Sequence, residues 1–199
     1  MADLSTLRRS PLHHLDDRLR AAAVPGDRWG SLRELPFLAM VGLRVQPGSA
    51  AAERIGGLLG APLPPYGTVA GSGPHAALWL GPDEWLVVST AEHGPLTADL
   101  TAALGEDAGA VVDVSANRTT LELSGPSARA TLEKGCPVDL HPRSFGPGHA
   151  VTTALGRVPL LLWQTGEHTY RLLPRSSFAD YVARWLLDAG SEYAGPEVP

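Results

Sequence analysis

The sequence predicts an α+β fold made of two fused ferredoxin-like units, each a split β-α-β arrangement with a mainly antiparallel sheet. Apolar runs and helical patterns alternate in the order β-α-β-β-α-β over residues 37–114, which is the ferredoxin-like order. A strand, a helix, three strands and a helix follow over residues 119–189. The chain has 199 residues, of which 44% are hydrophobic, enough to bury a substantial core.

The elements of the first unit follow from local periodicity. Alternating apolar residues at positions 37, 39, 41, 43 and 45 predict a strand with one buried face. Ser49 is expected to cap a helix that ends at Gly60, with Ile55, Leu58 and Leu59 turned inward. The apolar runs 76–80 and 85–89 predict a hairpin, residues 96–104 a helix and residues 111–114 the closing strand.

The second unit repeats much of this order without similar residues. Residues 119–123 predict a strand, and Gly125-Pro126 opens a helix that ends by Gly135. Strands are expected at 150–155, 159–163 and 169–173. Ser177 is expected to cap a last helix, whose apolar positions 178, 181, 182, 185, 186 and 189 share one face.

These elements predict four segments. Residues 1–28 form an N-terminal arm, in which residues 10–20 make a short helix that packs on the body or on another chain. Residues 29–116 form the first unit, residues 117–190 the second and residues 191–199 a tail. Residues 115–118 form a tight corner between the units rather than a flexible linker.

Composition excludes several kinds of partner. Charged residues make up 19% of the chain, the net charge is −5 and Lys134 is the sole lysine, so no basic surface for nucleic acid is expected. No apolar run approaches the roughly 18 residues of a membrane helix, and the N-terminus lacks the apolar region of a secretory signal. We therefore expect a cytoplasmic protein. The five tryptophans fit a partner-covered surface and an ordinary core equally well.

The motifs of common active sites are missing. The seven histidines do not occur at metal-binding spacings, and one cysteine, Cys136, provides neither a disulfide nor a cysteine zinc cage. Gly71-Ser-Gly73 leads into a strand and not a helix, as a dinucleotide fingerprint would require. Cys136 follows a helix end and is expected to be buried and structural. We predict no catalytic, cofactor-binding or metal-binding residue.

One cluster remains as a candidate pocket. Asp113 ends an apolar strand, so it is expected to be buried and to need a cationic partner. Arg118 follows in the corner, and Arg175 precedes the last helix. A structural ion pair that fixes the corner between the units is the favoured interpretation, and a catalytic or ligand-binding Asp113 is the alternative.

Several distinctive blocks occur in order along more than half of the chain: LGPDEW at 80–85, DVSANRT at 113–119, LELSGPSAR at 121–129, KGCPVDLHP at 134–142, FGPG at 145–148 and RSSFADY at 175–181. Together they resemble one family, the gamma subunit of heterotetrameric sarcosine oxidase. SPL at 10–12 also looks like the family's start. The resemblance implies the fold of the folate-binding domain of aminomethyltransferases.

The resemblance also implies a function in sarcosine catabolism and one-carbon metabolism. The complex converts sarcosine, O2 and tetrahydrofolate to glycine, H2O2 and 5,10-methylenetetrahydrofolate. Its FAD, FMN, NAD and folate sites lie in the alpha and beta subunits and its zinc in the delta subunit. The gamma subunit docks on alpha and binds none of them. Two alternatives remain: a free-standing folate-binding protein of the aminomethyltransferase class, and an inert scaffold in another oxidoreductase complex.

Overall fold

Two five-stranded antiparallel sheets pack face to face, and helices cover the outer face of each sheet. This computed structural model describes residues 7–22, 29–91 and 95–194. The α+β class with two mainly antiparallel sheets is therefore confirmed. The strands in this part of the chain are β1 (Ser31–Leu35), β2 (Ala39–Val45), β3 (Val69–Ala70), β4 (His75–Gly81), β5 (Glu84–Ser89), β6 (Gly109–Asp113), β7 (Thr120–Ser124), β8 (Ala150–Leu155), β9 (Val158–Gly166) and β10 (Thr169–Pro174).

Five α-helices are seen in the same ranges: α1 (Asp16–Ala21), α2 (Ala50–Leu59), α3 (Pro95–Leu104), α4 (Ala128–Glu133) and α5 (Ala179–Ala194). The first sheet has the strand order β3-β4-β5-β2-β6. The strands β2 and β4 run parallel to each other with the antiparallel β5 between them. The strands β5 and β6 likewise run parallel to each other with the antiparallel β2 between them. Two split β-α-β units thus interlock here, as the sequence predicted.

The second sheet has the order β1-β7-β10-β9-β8. Four of its strands come from the second half of the chain, but β1 comes from near the start and pairs with β7, with Leu32 opposite Leu123. The sequence analysis missed β1. Within this strand only Leu32 is buried, so the alternation that marks a half-buried strand is absent.

The pairing of β1 means that the chain crosses between the sheets twice, once from β1 to β2 and once from β6 to β7. A strand inside residues 29–116 therefore lies in the sheet of residues 117–190. The boundary between the units at residue 116 stays a prediction. The strand β1 precedes that boundary in the sequence but belongs to the sheet formed by the residues after it. Residues 1–6 and 23–28 of the predicted arm and 195–199 of the predicted tail lie outside the described residues.

Three local predictions were wrong at their ends. The strand β2 begins at Ala39 and not at Phe37, because Phe37 has φ 61° and is 38% exposed in the turn between the sheets. Ser177 does not open α5; a single 3-10 turn, Ser176–Phe178, comes first and α5 starts at Ala179. That helix continues to Ala194, into the segment predicted as tail. The expected capping of α2 is confirmed, since Ser49 Oγ accepts from the Ala52 amide at 3.2 Å, but Leu58 of that helix is exposed and not turned inward.

The core has three parts. The helices α2 and α3 cover the outer face of the first sheet, and α1, α4 and α5 cover that of the second. Between the sheets lies a smaller apolar layer formed by Met40, Leu78, Leu86, Val88, Ala150, Leu161 and Leu173. The strands β5 and β9 are buried along most of their length on both faces, so they read as long apolar runs.

The N-terminal arm packs on the second unit. Leu12, Leu15 and Leu19 are buried there, on the one side of the arm that the sequence predicted. His14 Nε2 lies 2.7 Å from Asp180 Oδ1 at the start of α5. The described part of the arm is therefore fixed to the body by apolar burial, with a polar contact at its edge.

Trp29, just before β1, packs directly against α5. A Cβ added at Gly190 would lie 1.8 Å from Trp29 Cζ3, far inside any van der Waals contact. Trp29 is 3% exposed, so its ring has no free space to move into. The absence of a side chain at Gly190 thus allows α5 to approach the chain at the start of β1.

We expect Gly190→Ala to lower the free energy of unfolding by about 1–3 kcal/mol, because overpacking forces side chains or backbone to shift. Gly57→Ala is the matched control, since a Cβ there meets nothing within 4 Å. It should raise stability by about 0.5–1 kcal/mol through helix propensity. Urea unfolding of the purified full chain measures both, and equal effects of the two substitutions would contradict this account of Trp29 packing.

Candidate functional site

The corner between β6 and β7 holds the predicted cluster. Asp113 is exposed at the end of β6, not buried as expected. Its Oδ1 accepts from the Ser115 amide at 2.9 Å and from the Ser115 hydroxyl at 2.6 Å. The Ser115 Oγ also accepts from the Met40 amide at 3.0 Å. Asp113 therefore orients a serine that ties the corner to the strand β2.

Arg118 and Arg175 lie side by side on the other side of this corner. The two residues form an isolated antiparallel bridge, and Arg118 Nη1 donates to the Leu173 carbonyl at 2.9 Å. Partial burial, and then the nearby charge of Arg175, lower the pKa of Arg118 from its ordinary value. The structure thus brings together the two arginines of the predicted cluster.

A shallow cavity of about 280 Å³ opens beside these arginines. It is lined by Arg118, Thr152, Pro159, Leu160, Arg175 and Phe178. Asp113 is not part of this lining. The cavity therefore presents two cationic groups and an apolar wall, which suits an anionic group carried on an apolar body.

A second polar cluster, which the sequence analysis missed, crosses three strands of the second sheet. Glu122 on β7 is opposite Arg33 on β1 and Arg171 on β10. Arg33 Nε donates to Glu122 Oε1 at 2.9 Å, and Arg171 Nε donates to Oε2 at 3.0 Å. The Arg171 guanidinium also lies 5.0 Å from the centre of the Trp163 ring. Glu122 and Arg171 lie between apolar residues in their strands, but only the pairing of β7 with β1 and β10 shows that the three residues meet.

Glu122 is 7% exposed, so its charge depends on these arginines. Burial acts to raise the pKa of Glu122. The hydrogen bonds and charges of Arg33 and Arg171 outweigh that effect, and the pKa is lowered below its ordinary value of 4.5. A buried carboxylate with both oxygens engaged holds neighbouring strands together, and it is poorly placed for proton transfer to a substrate.

A larger groove of about 600 Å³ runs along α2. Its floor includes Gly56, Gly57 and Trp85, and Glu53 is the one charged side chain among the described residues that line it. Trp85 Nε1 donates to the Pro64 carbonyl at 2.9 Å, so the indole is held by the loop after α2. The Gly56-Gly57 pair is the sequence signal for this groove, because two adjacent glycines leave a helix face bare.

The cysteine and the metal-ligating types of side chain form no further candidate site in the described ranges. Cys136 is buried, as predicted, and its sulfur lies 3.9 Å from the Thr153 hydroxyl. Within residues 7–22, 29–91 and 95–194, no group of three or more His, Cys, Asp or Glu side chains is placed to hold a metal ion. The helices in those ranges are too short or too polar for any of them to span a bilayer.

The FGPG segment at 145–148 also joins the two sheets. The Val69 amide donates to the Gly148 carbonyl at 2.8 Å, and the Ala150 amide donates to the Gly67 carbonyl at 3.0 Å. Phe145 is 5% exposed in the core of the second unit. This segment, like the 113–119 corner, is thus a junction in the fold.

Comparison with known protein families identifies the family that shares these segments. Residues 42–192 match the model of the family described as "Sarcosine oxidase, gamma subunit family". The chain belongs to the sarcosine oxidase gamma subunit family. The predicted resemblance is confirmed, and the family model spans both sheets.

Similar members of the gamma subunit family align over the whole chain. The sarcosine oxidase subunit gamma of Corynebacterium sp. (strain U-96) is 48% identical, with 100% of this chain and 97% of that one covered. The subunit from Arthrobacter sp. is 45% identical with the same coverage. A chain in the solved structure of the heterotetrameric sarcosine oxidase from Corynebacterium sp. U-96, in complex with pyrrole 2-carboxylate, superposes with a TM-score of 0.91 at 47% identity, covering 97% of this chain and 100% of that chain.

The gamma-subunit fold is shared with a more distant protein. The glycine cleavage system aminomethyltransferase T from Bartonella henselae superposes with a TM-score of 0.64 at 15% identity. The match covers 91% of this chain but 57% of that one. This likeness shows a common fold, and it confirms the aminomethyltransferase-like architecture that the resemblance implied.

We expect Glu122→Gln to lower the free energy of unfolding by about 1–3 kcal/mol at pH 7, since a charge-assisted, buried contact is lost. Because the folded-state pKa of Glu122 is depressed, its contribution is complete above the unfolded pKa of about 4.3 and is lost as pH falls through the lower folded pKa. The difference between the wild type and Glu122→Gln should therefore shrink below about pH 4. Urea unfolding at a series of pH values measures it.

Glu133→Gln is the control for this experiment. Glu133 is 47% exposed and pairs with Arg129 at 3.6 Å within one helix, so its loss should cost less than about 0.5 kcal/mol. A difference between the wild type and Glu122→Gln that persists unchanged to the acid limit would contradict the role given to the Glu122 charge.

Proposed function

We propose that this chain is a non-catalytic gamma subunit of a cytoplasmic heterotetrameric sarcosine oxidase, in which it docks on the alpha subunit. The observation that carries the proposal is the superposition on a chain of such a complex over 97% of this chain at a TM-score of 0.91. Identity of 45–48% to gamma subunits over the whole chain supports it. The match extends through both units, so the entire chain would serve this one role.

The polar clusters support a structural role. The carboxylates of Asp113 and Glu122 are engaged by Ser115 and by two arginines respectively. A general acid or base needs a titratable group within reach of a substrate. The two most conspicuous carboxylates instead fix a corner and a sheet, which is the behaviour expected of a chain that folds and binds rather than reacts.

The proposal assigns the redox chemistry to other subunits. In it, FAD, FMN, NAD and tetrahydrofolate are bound by alpha and beta, and zinc by delta. The complex as a whole converts sarcosine, O2 and tetrahydrofolate to glycine, H2O2 and 5,10-methylenetetrahydrofolate. This chain would contribute by burying surface of alpha, because binding to the folded form of a partner stabilises it by mass action.

The runner-up is a free-standing folate-binding protein of the aminomethyltransferase class, favoured by the likeness to aminomethyltransferase T. Arg118 and Arg175 would then hold the glutamate tail of the folate. Against it, this chain spans 57% of that enzyme, and Asp113 lies outside the cavity that those arginines line. Because no carboxylate is among the residues that line this cavity, a folate bound there would lack a carboxylate to hold its pterin.

The first test is to purify this chain, affinity-tagged, from its native cell and to identify what is recovered with it. We expect stoichiometric alpha, beta and delta subunits and sarcosine-dependent H2O2 formation in the eluate. Recovery of the folded chain alone, together with tetrahydrofolate binding in calorimetry, would overturn the proposal in favour of the free-standing folate protein.

A second test concerns whether this chain also walls the cavity through which an imine intermediate moves to folate. If it does, a complex assembled without this chain should lose part of its methyl carbon by imine hydrolysis to formaldehyde and glycine. We expect the yield of methylenetetrahydrofolate per sarcosine to fall and formaldehyde to rise. Full yield without this chain would refute the wall and leave the docking role intact.

A further inference from the structure

The corner formed by Arg118 and Arg175 carries two positive charges, and no carboxylate in the part of the chain that the structure describes forms an ion pair with either of them. The two residues lie opposite each other in an isolated antiparallel β-bridge. On either side of them, the Thr119 amide donates to the Pro174 carbonyl and the Ser176 amide donates to the Asn117 carbonyl. This geometry directs both side chains to the same side. Like charges placed directly opposite across paired strands destabilise the pairing.

Several other described arginines have carboxylate partners. Arg33, Arg44, Arg54, Arg171 and Arg184 each form an ion pair. Among residues 7–22, 29–91 and 95–194, neither Arg118 nor Arg175 forms one. The chain is acidic overall, with a net charge of −5, so an unneutralised pair of arginines is not explained by a shortage of carboxylates.

The surroundings of this pair have the composition of a protein interface. Phe178 is 39% exposed in the cavity wall, and Tyr181, one turn further on, is 47% exposed. Pro159 and Leu160 complete the apolar part of the lining. Exposed aromatic side chains and arginines are enriched at protein–protein interfaces, while most other charged residues are depleted there.

We infer that Arg118, Arg175, Phe178 and Tyr181 form a docking surface, the arginine corner, for an acidic segment of another protein subunit. An Asp or Glu carboxylate of that segment enters the cavity and accepts hydrogen bonds from both guanidinium groups, while an apolar neighbour packs on Phe178. The charge complementarity selects this occupant: a carboxylate supplies the missing counter-charge, and the aromatic rim buries the chain that carries it.

The inference rests on the proposed function, because the partner is a subunit of the same complex. The test compares Arg118→Gln/Arg175→Gln with Arg18→Gln/Arg143→Gln. Arg18 and Arg143 are exposed, and each double substitution removes two positive charges. Gln keeps a donor for the Leu173 carbonyl, and a single Arg175→Gln variant, which removes an exposed side chain, guards against a folding defect.

The measurement is the affinity of the tagged chain for co-expressed alpha, beta and delta subunits at 50 and 300 mM NaCl. We expect Arg118→Gln/Arg175→Gln to weaken capture by about 10- to 100-fold and to flatten the salt dependence. Arg175→Gln alone should weaken it by about 3- to 10-fold, and the Arg18→Gln/Arg143→Gln control should stay within about twofold of the wild type.

The outcomes separate this inference from the proposed function. If the wild type captures none of the three subunits, the proposed function fails and the inference fails with it. If the wild type captures them and Arg118→Gln/Arg175→Gln does so equally, the inference alone is overturned. Binding of glutarate to the isolated chain that this variant abolishes, with capture unchanged, would instead assign the corner to a small carboxylate and overturn the docking surface.

Discussion

The apolar contact between the two sheets is the constraint on which the rest of the structure depends. Leu78, Leu86 and Val88 on one side meet Leu161 and Leu173 on the other. The strands β5 and β9 are buried along most of their length on both faces, so separating the two sheets would expose apolar surface to water. The segments that join the sheets must therefore fit the distance that this contact sets.

The segments that mark the family lie where this constraint is tightest. The 113–119 corner binds β2 through Ser115, and the 145–148 segment precedes the contact of β8 with the loop before β3. Corners of this kind tolerate few side chains, since the backbone must turn within a few residues and satisfy its hydrogen bonds. We therefore attribute the motifs at 113–119 and 145–148 to the requirements of packing two sheets together.

The candidate functional features of this chain lie on its surface. The described polar groups with strong partners act inside the fold, whereas the arginine corner and the groove along α2 face outward. In the role that we propose for this chain, its contribution is a set of contacts, and the charge of the arginine corner gives one of them its specificity.

The sequence predicted most of the local structure because the signals are local. Alternation marks β2, the hairpin of β4 and β5 follows from two apolar runs around a turn, and Ser49 and Gly60 mark the ends of α2. Arg118 and Arg175 were also grouped in one cluster, because each was a possible cationic partner of Asp113. The burial of Asp113 was not predicted correctly, because the end of an apolar strand can face solvent.

Only the tertiary structure decided how distant segments meet. β1 joins the second sheet, and Arg33 reaches Glu122 across 89 positions of sequence. Periodicity reports which face of an element is buried, but it carries no information on the partner that buries it. The sequence by itself therefore determined the elements and the family, while the pairing of β1, the Glu122 cluster and the exposed aromatic rim of the arginine corner required the packed chain.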